Sequence, residues 1–284
     1  MSLYTTSLNS GSNGNCYYIG NDNEAVLIDV GISCREVEKR MSRLELNIQK
    51  VKAIFISHEH SDHIRGVVVL ARKYKLPVYI TAPTLKYSVL SLNEELVKPF
   101  NAHQPVKIGE LFITPFPKFH DASDPHSFIV EGNGIKIGIL TDIGEICEHV
   151  IHYFKQCHAA FLEANYDEEM LSTGRYPYYL KKRITGGKGH LSNNQALELF
   201  TKHKLPHMSH LLLSHLSKEN NTPELVEELF TKHSSETIII IASRHNETPV
   251  FTIKATPTQK SMQPIVARLK KTKAIQQHIQ MSLF

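Results

Sequence analysis

At 284 residues with 41% apolar side chains, the chain is long enough to bury a sizeable core in one large domain or two small ones. No apolar run reaches the roughly 18–20 residues that span a bilayer, and "MSLYTTSLNSGSNGN" lacks the basic and apolar regions of a signal peptide, so a cytoplasmic location is expected. The four cysteines (Cys16, Cys34, Cys147 and Cys157) form no C-x-x-C pair, which argues against a zinc ribbon or redox motif, and the net charge of +4 is uneven, with six cations and no carboxylate after Glu247.

In chain order, "CYYIG" and "EAVLIDVG" read as short strands separated by the turn "NDN". Residues 33–45 have helical spacing, and "VKAIFIS" is a buried strand running into "SHEHSDH" at 57–63. A helix is expected from near Asp62 through "IRGVVVLARKYK". The stretches "LPVYIT", "LFITPFPKFHD", "SFIVEG" and "IKIGILTD" follow as strands. In the second half "AAFLEAN", "HLLLSH", "TIIIIAS" and "PVFTI" are strands, with helices over 192–203, capped by Ser192, and over 222–232. This order fits an α/β (α+β) architecture of two sheets packed face to face, with helices on both outer sides. Polar residues recur just past strand ends, where loops reach a common edge.

The loop "SHEHSDH" concentrates metal-affine groups. His58 and His60 are two apart, so in an extended segment both imidazoles project the same way. Asp62 and His63 come as the chain turns into a helix and face a different point, which suits two adjacent metals better than one. Nitrogen and carboxylate donors accept Zn²⁺, Mn²⁺ or Fe²⁺. The motif H-E-x-x-H is absent, because Asp62 stands where its second histidine would be. Further ligands are expected at strand ends: His120 in "KFHDASDPHSF", Asp142 in "GILTDIG" and His215 in "LLLSHLS". His126 rivals His120, which follows its apolar strand more directly, and Asp142 also reads as a helix N-cap for "IGEICEHV".

The H-x-H-x-D-H loop, followed by His, Asp and His at successive strand ends, resembles the metallo-β-lactamase fold superfamily over nearly the whole chain up to about residue 255. "KFHDASDPHSF", "LEANYDEEMLSTGRYPYYLKKRI", "GHLSNNQA" and "LSHLSKENN" look like the YycJ-type (WalJ-type) branch, which is related to ribonuclease Z. The resemblance implies an αββα sandwich of two mixed β-sheets over residues 1–255, with 256–284 as a basic tail. It implies one metal held by His58, His60 and His120, a second held by Asp62, His63 and His215, and Asp142 bridging the two. Each metal keeps a position open for water or substrate. His190 in "KGHLSNN" is similar to the histidine of the "HST" loop of ribonuclease Z, and Glu163 in "FLEANYD" to the glutamate that orients it. A role as general acid or phosphate ligand follows for His190. Asp62 would also position the attacking water.

Two cations roughly 3.5–4 Å apart acidify water between them and clamp a phosphate. Residues 171–190 carry Arg175, Lys181, Lys182, Arg183 and Lys188 with no acid, interleaved with Tyr176, Tyr178 and Tyr179. Cations for phosphates beside rings for stacking suit a single strand or frayed end of nucleic acid; a solvated helix with its tyrosines on the core is the alternative. The terminal "QMSLF" resembles the short peptide by which bacterial replication and repair proteins dock on the sliding clamp. Leu283 and Phe284 would fill one apolar pocket, Met281 a neighbouring one, and Gln280 would bond at the rim. The expectation is a cytoplasmic, dinuclear metal-dependent nuclease using zinc or manganese, with iron as a further option. As the resemblance implies, it would degrade DNA 5′-to-3′ in repair or replication. Alternatives are an RNA-processing hydrolase of the ribonuclease Z kind, a small-molecule esterase or lactonase, and a non-catalytic clamp- or DNA-binding scaffold.

Overall fold

The computed structural model describes residues 2–255; the expected tail over 256–284, with Gln280, Met281, Leu283 and Phe284, lies outside them. The chain opens with β1 (Ser2–Asn9), β2 (Cys16–Gly20), β3 (Ala25–Ile28), α1 (Cys34–Arg43) and β4 (Val51–Phe55). Next come α2 (Ser61–Ile64), α3 (Val67–Tyr74), β5 (Val78–Tyr79), α4 (Ala82–Tyr87) and β6 (Val97–Lys98). The strands β7 (Val106–Ile108), β8 (Leu111–Pro117), β9 (His126–Gly132) and β10 (Ile135–Leu140) lead to α5 (Glu148–Phe154) and β11 (Ala159–Glu163). Three helices follow, α6 (Glu168–Thr173), α7 (Tyr178–Thr185) and α8 (Asn193–His203). The described chain closes with β12 (His210–Ser214), α9 (Pro223–Thr231), β13 (Ile238–Ile241) and β14 (Phe251–Lys254).

The strands form two seven-stranded mixed sheets, ordered β14-β1-β2-β3-β4-β5-β6 and β13-β12-β11-β10-β9-β8-β7. Between the sheets lies an apolar layer that includes Tyr17, Val26, Phe55, Phe128, Phe161 and Leu212. Leu27 and Ile54 on the outer face of the first sheet pack with Val37 of α1 and Leu70 of α3. Phe154, Phe200 and Phe230 of α5, α8 and α9 cover the second sheet. The result is the expected αββα sandwich. Strands β2 and β3 are buried along their whole length because both of their faces are covered. The helices start where the sequence signals a cap: Ser192 and Gln195 form a reciprocal capping box on α8, and Thr222 caps α9 with Pro223 at its first position. No helix of the described residues is long and apolar enough to cross a membrane.

One strand was not anticipated, and two local expectations are corrected. "SLYTTSLN" has no apolar stripe, yet it forms β1 between β2 and β14; its buried threonine hydroxyls are satisfied, with Thr6 donating to the Thr248 carbonyl at 2.7 Å and Thr5 to that of Tyr18 at 3.1 Å. The helix expected from Asp62 onward is two helices, broken at Gly66, whose N–H donates to the Val30 carbonyl at 2.8 Å. Asp142 caps no helix: α5 begins six residues later, behind Cys147.

This topology sets the functional edge. β3 runs parallel to β4, and β10, β11 and β12 run parallel to one another, so the C-terminal ends of each set share one rim of their sheet. β9 is antiparallel to β10, which brings the turn before it to the same rim.

Candidate metal centre

The loop after β4 carries His58 and His60, and α2 carries Asp62 and His63. His120 comes from the turn between β8 and β9, while Asp142 and His215 follow β10 and β12. All seven meet at the rim. His58 Nε2, His60 Nδ1 and His120 Nε2 face one point, with His60 Nδ1 3.1 Å from His58 Nε2 and 3.4 Å from His120 Nε2. Asp62 Oδ2, His63 Nε2 and His215 Nε2 face another, 3.5–3.6 Å from carboxylate to each ring. Asp142 lies between: Oδ2 is 3.3 Å from His63 Nε2, and Oδ1 is 3.5 Å from His215 Nε2 and 3.9 Å from His120 Nε2. His126 stays outside, its Nδ1 2.9 Å from the Asp124 carbonyl and its ring edge-on to Phe100.

Three residues at this rim hold left-handed backbone: Asp29 (φ 59°), Asp142 (φ 56°) and His215 (φ 58°). Each conformation costs roughly 1–2 kcal/mol for a residue with a Cβ, and it turns the chain sharply just past a strand. Glycine makes the close packing behind the loop feasible. A Cβ on Gly31 would stand 1.6 Å from the Asp62 carbonyl oxygen, the acceptor of the Asn15 N–H at 2.7 Å.

Buried partners orient the rings. Asp29 Oδ2 meets His63 Nδ1 at 2.7 Å and accepts the Ser57 hydroxyl at 2.7 Å, while its Oδ1 accepts the Ser57 N–H at 2.8 Å. Ser57 Oγ lies 2.9 Å from His58 Nδ1, and His120 Nδ1 lies 3.0 Å from the Gly189 carbonyl. Glu163 Oε1 meets His190 Nδ1 at 2.8 Å and His215 Nδ1 at 3.0 Å. Its other oxygen accepts the Ile143 N–H at 2.8 Å and the Leu191 N–H at 3.2 Å. Although Asp142, Glu163, His190 and His215 cluster closely enough to form a ligand set of their own, Glu163 is fully committed to these four contacts and acts as an orienting group.

The charges are matched. Burial disfavours a charged His63, but the carboxylates of Asp142, Asp29 and Asp62 outweigh it and raise the pKa to about 10. His215 is likewise buried, and Asp142, Asp62 and Glu163 raise it well above the usual histidine range. Burial, aided by His63 and Lys118, keeps His58 neutral; burial, with Lys118 and His190, pushes His120 down to about 3. Burial favours a neutral Glu163, yet His190 and His215 lower its pKa to about 2.

The donor set fits divalent cations. Asp142 Oδ2 and His215 Nε2 are buried and have no hydrogen-bond partner among the described residues. Leaving such atoms unsatisfied costs about 1–3 kcal/mol each, more for a charged group, and a cation among these nitrogens and oxygens removes that cost.

The residues read as a nucleic-acid face surround α7. Tyr178 and Tyr179 are 74% and 75% exposed, which goes against tyrosines packed on the core, although Tyr176 does pack on a small cluster of Tyr166, Leu171 and Ile184. Lys182 Nζ sits 5.6 Å from the Tyr178 ring centre. Lys181 donates to the Ser172 carbonyl at 2.7 Å, and Arg183 pairs with Asp121, the neighbour of His120. Arg175 and Lys188 are exposed. A cleft of about 610 Å³ between α6 and α7 is lined by Tyr166, Tyr176, Tyr178, Lys181 and Lys182.

Sequence reasoning missed Asp29, Ser57, Asn15 and Lys118. Asp29 stands directly after "AVLI", so the strand-end rule that picked out Asp142 also points to it. Buried Lys118, which donates to the Thr141 carbonyl at 2.6 Å, had no such signal.

This chain belongs to the beta-lactamase superfamily: a family model described as Beta-lactamase superfamily domain matches residues 24–216. Within it, the chain is 36% identical over 228 residues to Exodeoxyribonuclease YycJ of Bacillus anthracis, covering 79% of this chain and 86% of that one. It is 32% identical over 225 residues to Exodeoxyribonuclease WalJ of Streptococcus pneumoniae, covering 77% and 83%. Among solved structures, it shares its fold with the metallo-beta-lactamase fold protein YhfI from Bacillus subtilis, at a TM-score of 0.68 and 15% identity over 89% of this chain and 100% of that one.

Proposed function

We propose that the chain is a cytoplasmic, dinuclear-metal phosphodiesterase that hydrolyses DNA from its 5′ end in replication or repair. Residues 1–255 form the hydrolase domain, and 256–284 serve as a basic tether whose last five residues dock on the sliding clamp. One zinc or manganese ion, with iron as the third option, is held by His58, His60 and His120. The other is held by Asp62, His63 and His215, with Asp142 shared. The observation that carries this reading is the convergence of seven donors on two adjacent points, two of their atoms buried without a hydrogen-bond partner among the described residues. The two exodeoxyribonuclease relatives support DNA as the substrate.

When bound, the cations supply Lewis-acid polarisation of the phosphoryl group and acidify water. The chain's own residues do the rest. Asp62 orients the attacking water. Glu163 holds the Nδ1 proton of His190, which leaves Nε2 to face the leaving oxygen and pass it a proton. The exposed tyrosines and lysines of α7 stack bases and neutralise phosphates of an unpaired strand.

Digestion of DNA and RNA labelled at the 5′ or 3′ end, with EDTA, Zn²⁺ or Mn²⁺, tests the proposal. Mononucleotide release from the 5′ end of DNA, abolished by EDTA, is expected. Preference for RNA transfers the chemistry to RNA processing, and activity that resists EDTA ends the metal reading.

A further inference from the structure

The connection from β1 into β2 reaches the metal centre through three buried polar side chains, Ser10, Asn15 and Tyr17. Asn15 grips α2 at two points. Its N–H donates to the Asp62 carbonyl at 2.7 Å, and its Nδ2 donates to Asp62 Oδ2 at 3.2 Å and lies 3.1 Å from His63 Nε2. Its Oδ1 accepts the Gly11 N–H at 2.9 Å and the Tyr17 hydroxyl at 3.2 Å. Tyr17 Oη in turn lies 3.0 Å from Ser10 Oγ, which accepts the His215 N–H at 2.8 Å.

The proton count fixes the direction of this chain. Two donors meet Asn15 Oδ1, so the amide cannot turn over and its NH₂ group faces Asp62. Tyr17 gives its one proton to Asn15, so the Ser10 hydroxyl donates to the Tyr17 oxygen. The bonds therefore run one way, from Ser10 through Tyr17 and Asn15 to Asp62. One end holds the backbone of His215, which has a left-handed φ of 58°, and the other holds the Asp62 carboxylate. Such a chain is stiff, because any member that turns leaves a buried donor or acceptor unmet.

The contacts of this chain are selective. Asp62, His63 and His215 are the three residues assigned above to the second metal alone. His58, His60 and His120 take their contacts from Ser57, one another and the Gly189 carbonyl. Asp29, by contrast, serves both sets, since the Ser57 hydroxyl that it holds contacts His58 as well as His63.

We propose that Ser10, Tyr17 and Asn15 are positioning residues for the second metal and not for the first. They fix the separation of Asp62, on α2, from His215, at the rim of the second sheet. The inference rests on the dinuclear reading above. The two positions consequently differ in what assembles them. The first needs only the loop after β4 and the turn between β8 and β9, whereas the second also needs the connection between β1 and β2.

The test titrates the metal-free full chain with Mn²⁺. Equilibrium dialysis counts the bound ions, and electron paramagnetic resonance follows their pairing, since neighbouring Mn²⁺ ions couple magnetically. Asn15→Ala should weaken the second equivalent about 10–100-fold while the first stays within about twofold of the unmodified chain. Tyr17→Phe removes one hydroxyl and keeps the ring centre 4.7 Å from that of Phe161. It should weaken the second equivalent less, by about two- to tenfold. In both variants the signal of isolated ions should persist to higher metal concentration. Tyr17→Phe, which opens no cavity, carries the test if Asn15→Ala does not fold. Equal weakening of both ions, unchanged affinity, or selective loss of the first ion overturns the proposal and leaves the dinuclear centre standing. A single ion bound per unmodified chain overturns the dinuclear reading, and the proposal with it.

Discussion

Glu163 and His190 are joined by a 2.8 Å contact between Oε1 and Nδ1, and the same oxygen meets His215 Nδ1 at 3.0 Å. One buried carboxylate therefore fixes two imidazoles whose proposed tasks differ, proton transfer for His190 and metal ligation for His215. His190→Ala should lower kcat for DNA hydrolysis by about 10²–10⁴ while leaving metal content unchanged. Glu163→Gln should lower both kcat and the affinity for the second metal, since it disturbs His215 as well. Steady-state kinetics alongside elemental analysis checks the pair; loss of metal in His190→Ala would reassign that histidine as a ligand.

Asp29 reaches the centre only through other residues, holding His63 Nδ1 and Ser57. Its removal tests whether orientation matters to metal binding. Asp29→Asn is expected to weaken metal affinity about 10–100-fold, measured by competition with a chelator of known strength. Unchanged affinity would make Asp29 a folding residue alone.

Metal loading should release protons. Without metal, Asp142, Asp29 and Asp62 overcome the burial of His63 and keep it protonated up to about pH 10, and His215 is held in the same direction. Both rings must be neutral to donate to a cation, whereas His120, at about 3, is already neutral at pH 7. Net release is therefore expected at pH 7, and affinity should climb as pH rises toward 10. Calorimetric titrations in buffers of different ionisation enthalpy read the proton count. Heats that do not depend on buffer would contradict it.

Gly31 tests the packing behind the metal loop. A methyl group there overlaps the Asp62 carbonyl, which is backbone and has little freedom to withdraw. Gly31→Ala should cost roughly 1–3 kcal/mol of stability and displace Asp62 from the second metal position. Thermal unfolding with and without added Zn²⁺ shows both effects: a lower Tm, and a smaller metal-induced rise than in the unmodified chain.

Much of the candidate site was legible because clustered metal-affine side chains announce themselves. His58, His60, Asp62 and His63 crowd one short loop, and His120, Asp142 and His215 each follow an apolar run. Residues that act one contact away gave weaker signals. Ser57, Asn15 and Lys118 are ordinary polar residues in sequence, and only the fold reveals that they are buried around the centre. β1 was obscured because its buried side chains include threonine hydroxyls bonded to neighbouring carbonyls rather than an apolar stripe. The break between α2 and α3 depends on a contact from Gly66 to Val30 that no local pattern encodes.

The central claim, that two cations work together at this rim, is tested most directly by titrating Mn²⁺ or Zn²⁺ into metal-free protein while following the rate of DNA hydrolysis. Activity that is absent without metal, and that rises to a plateau at two bound equivalents per chain, is the expected result. Full activity at zero or one equivalent would contradict it.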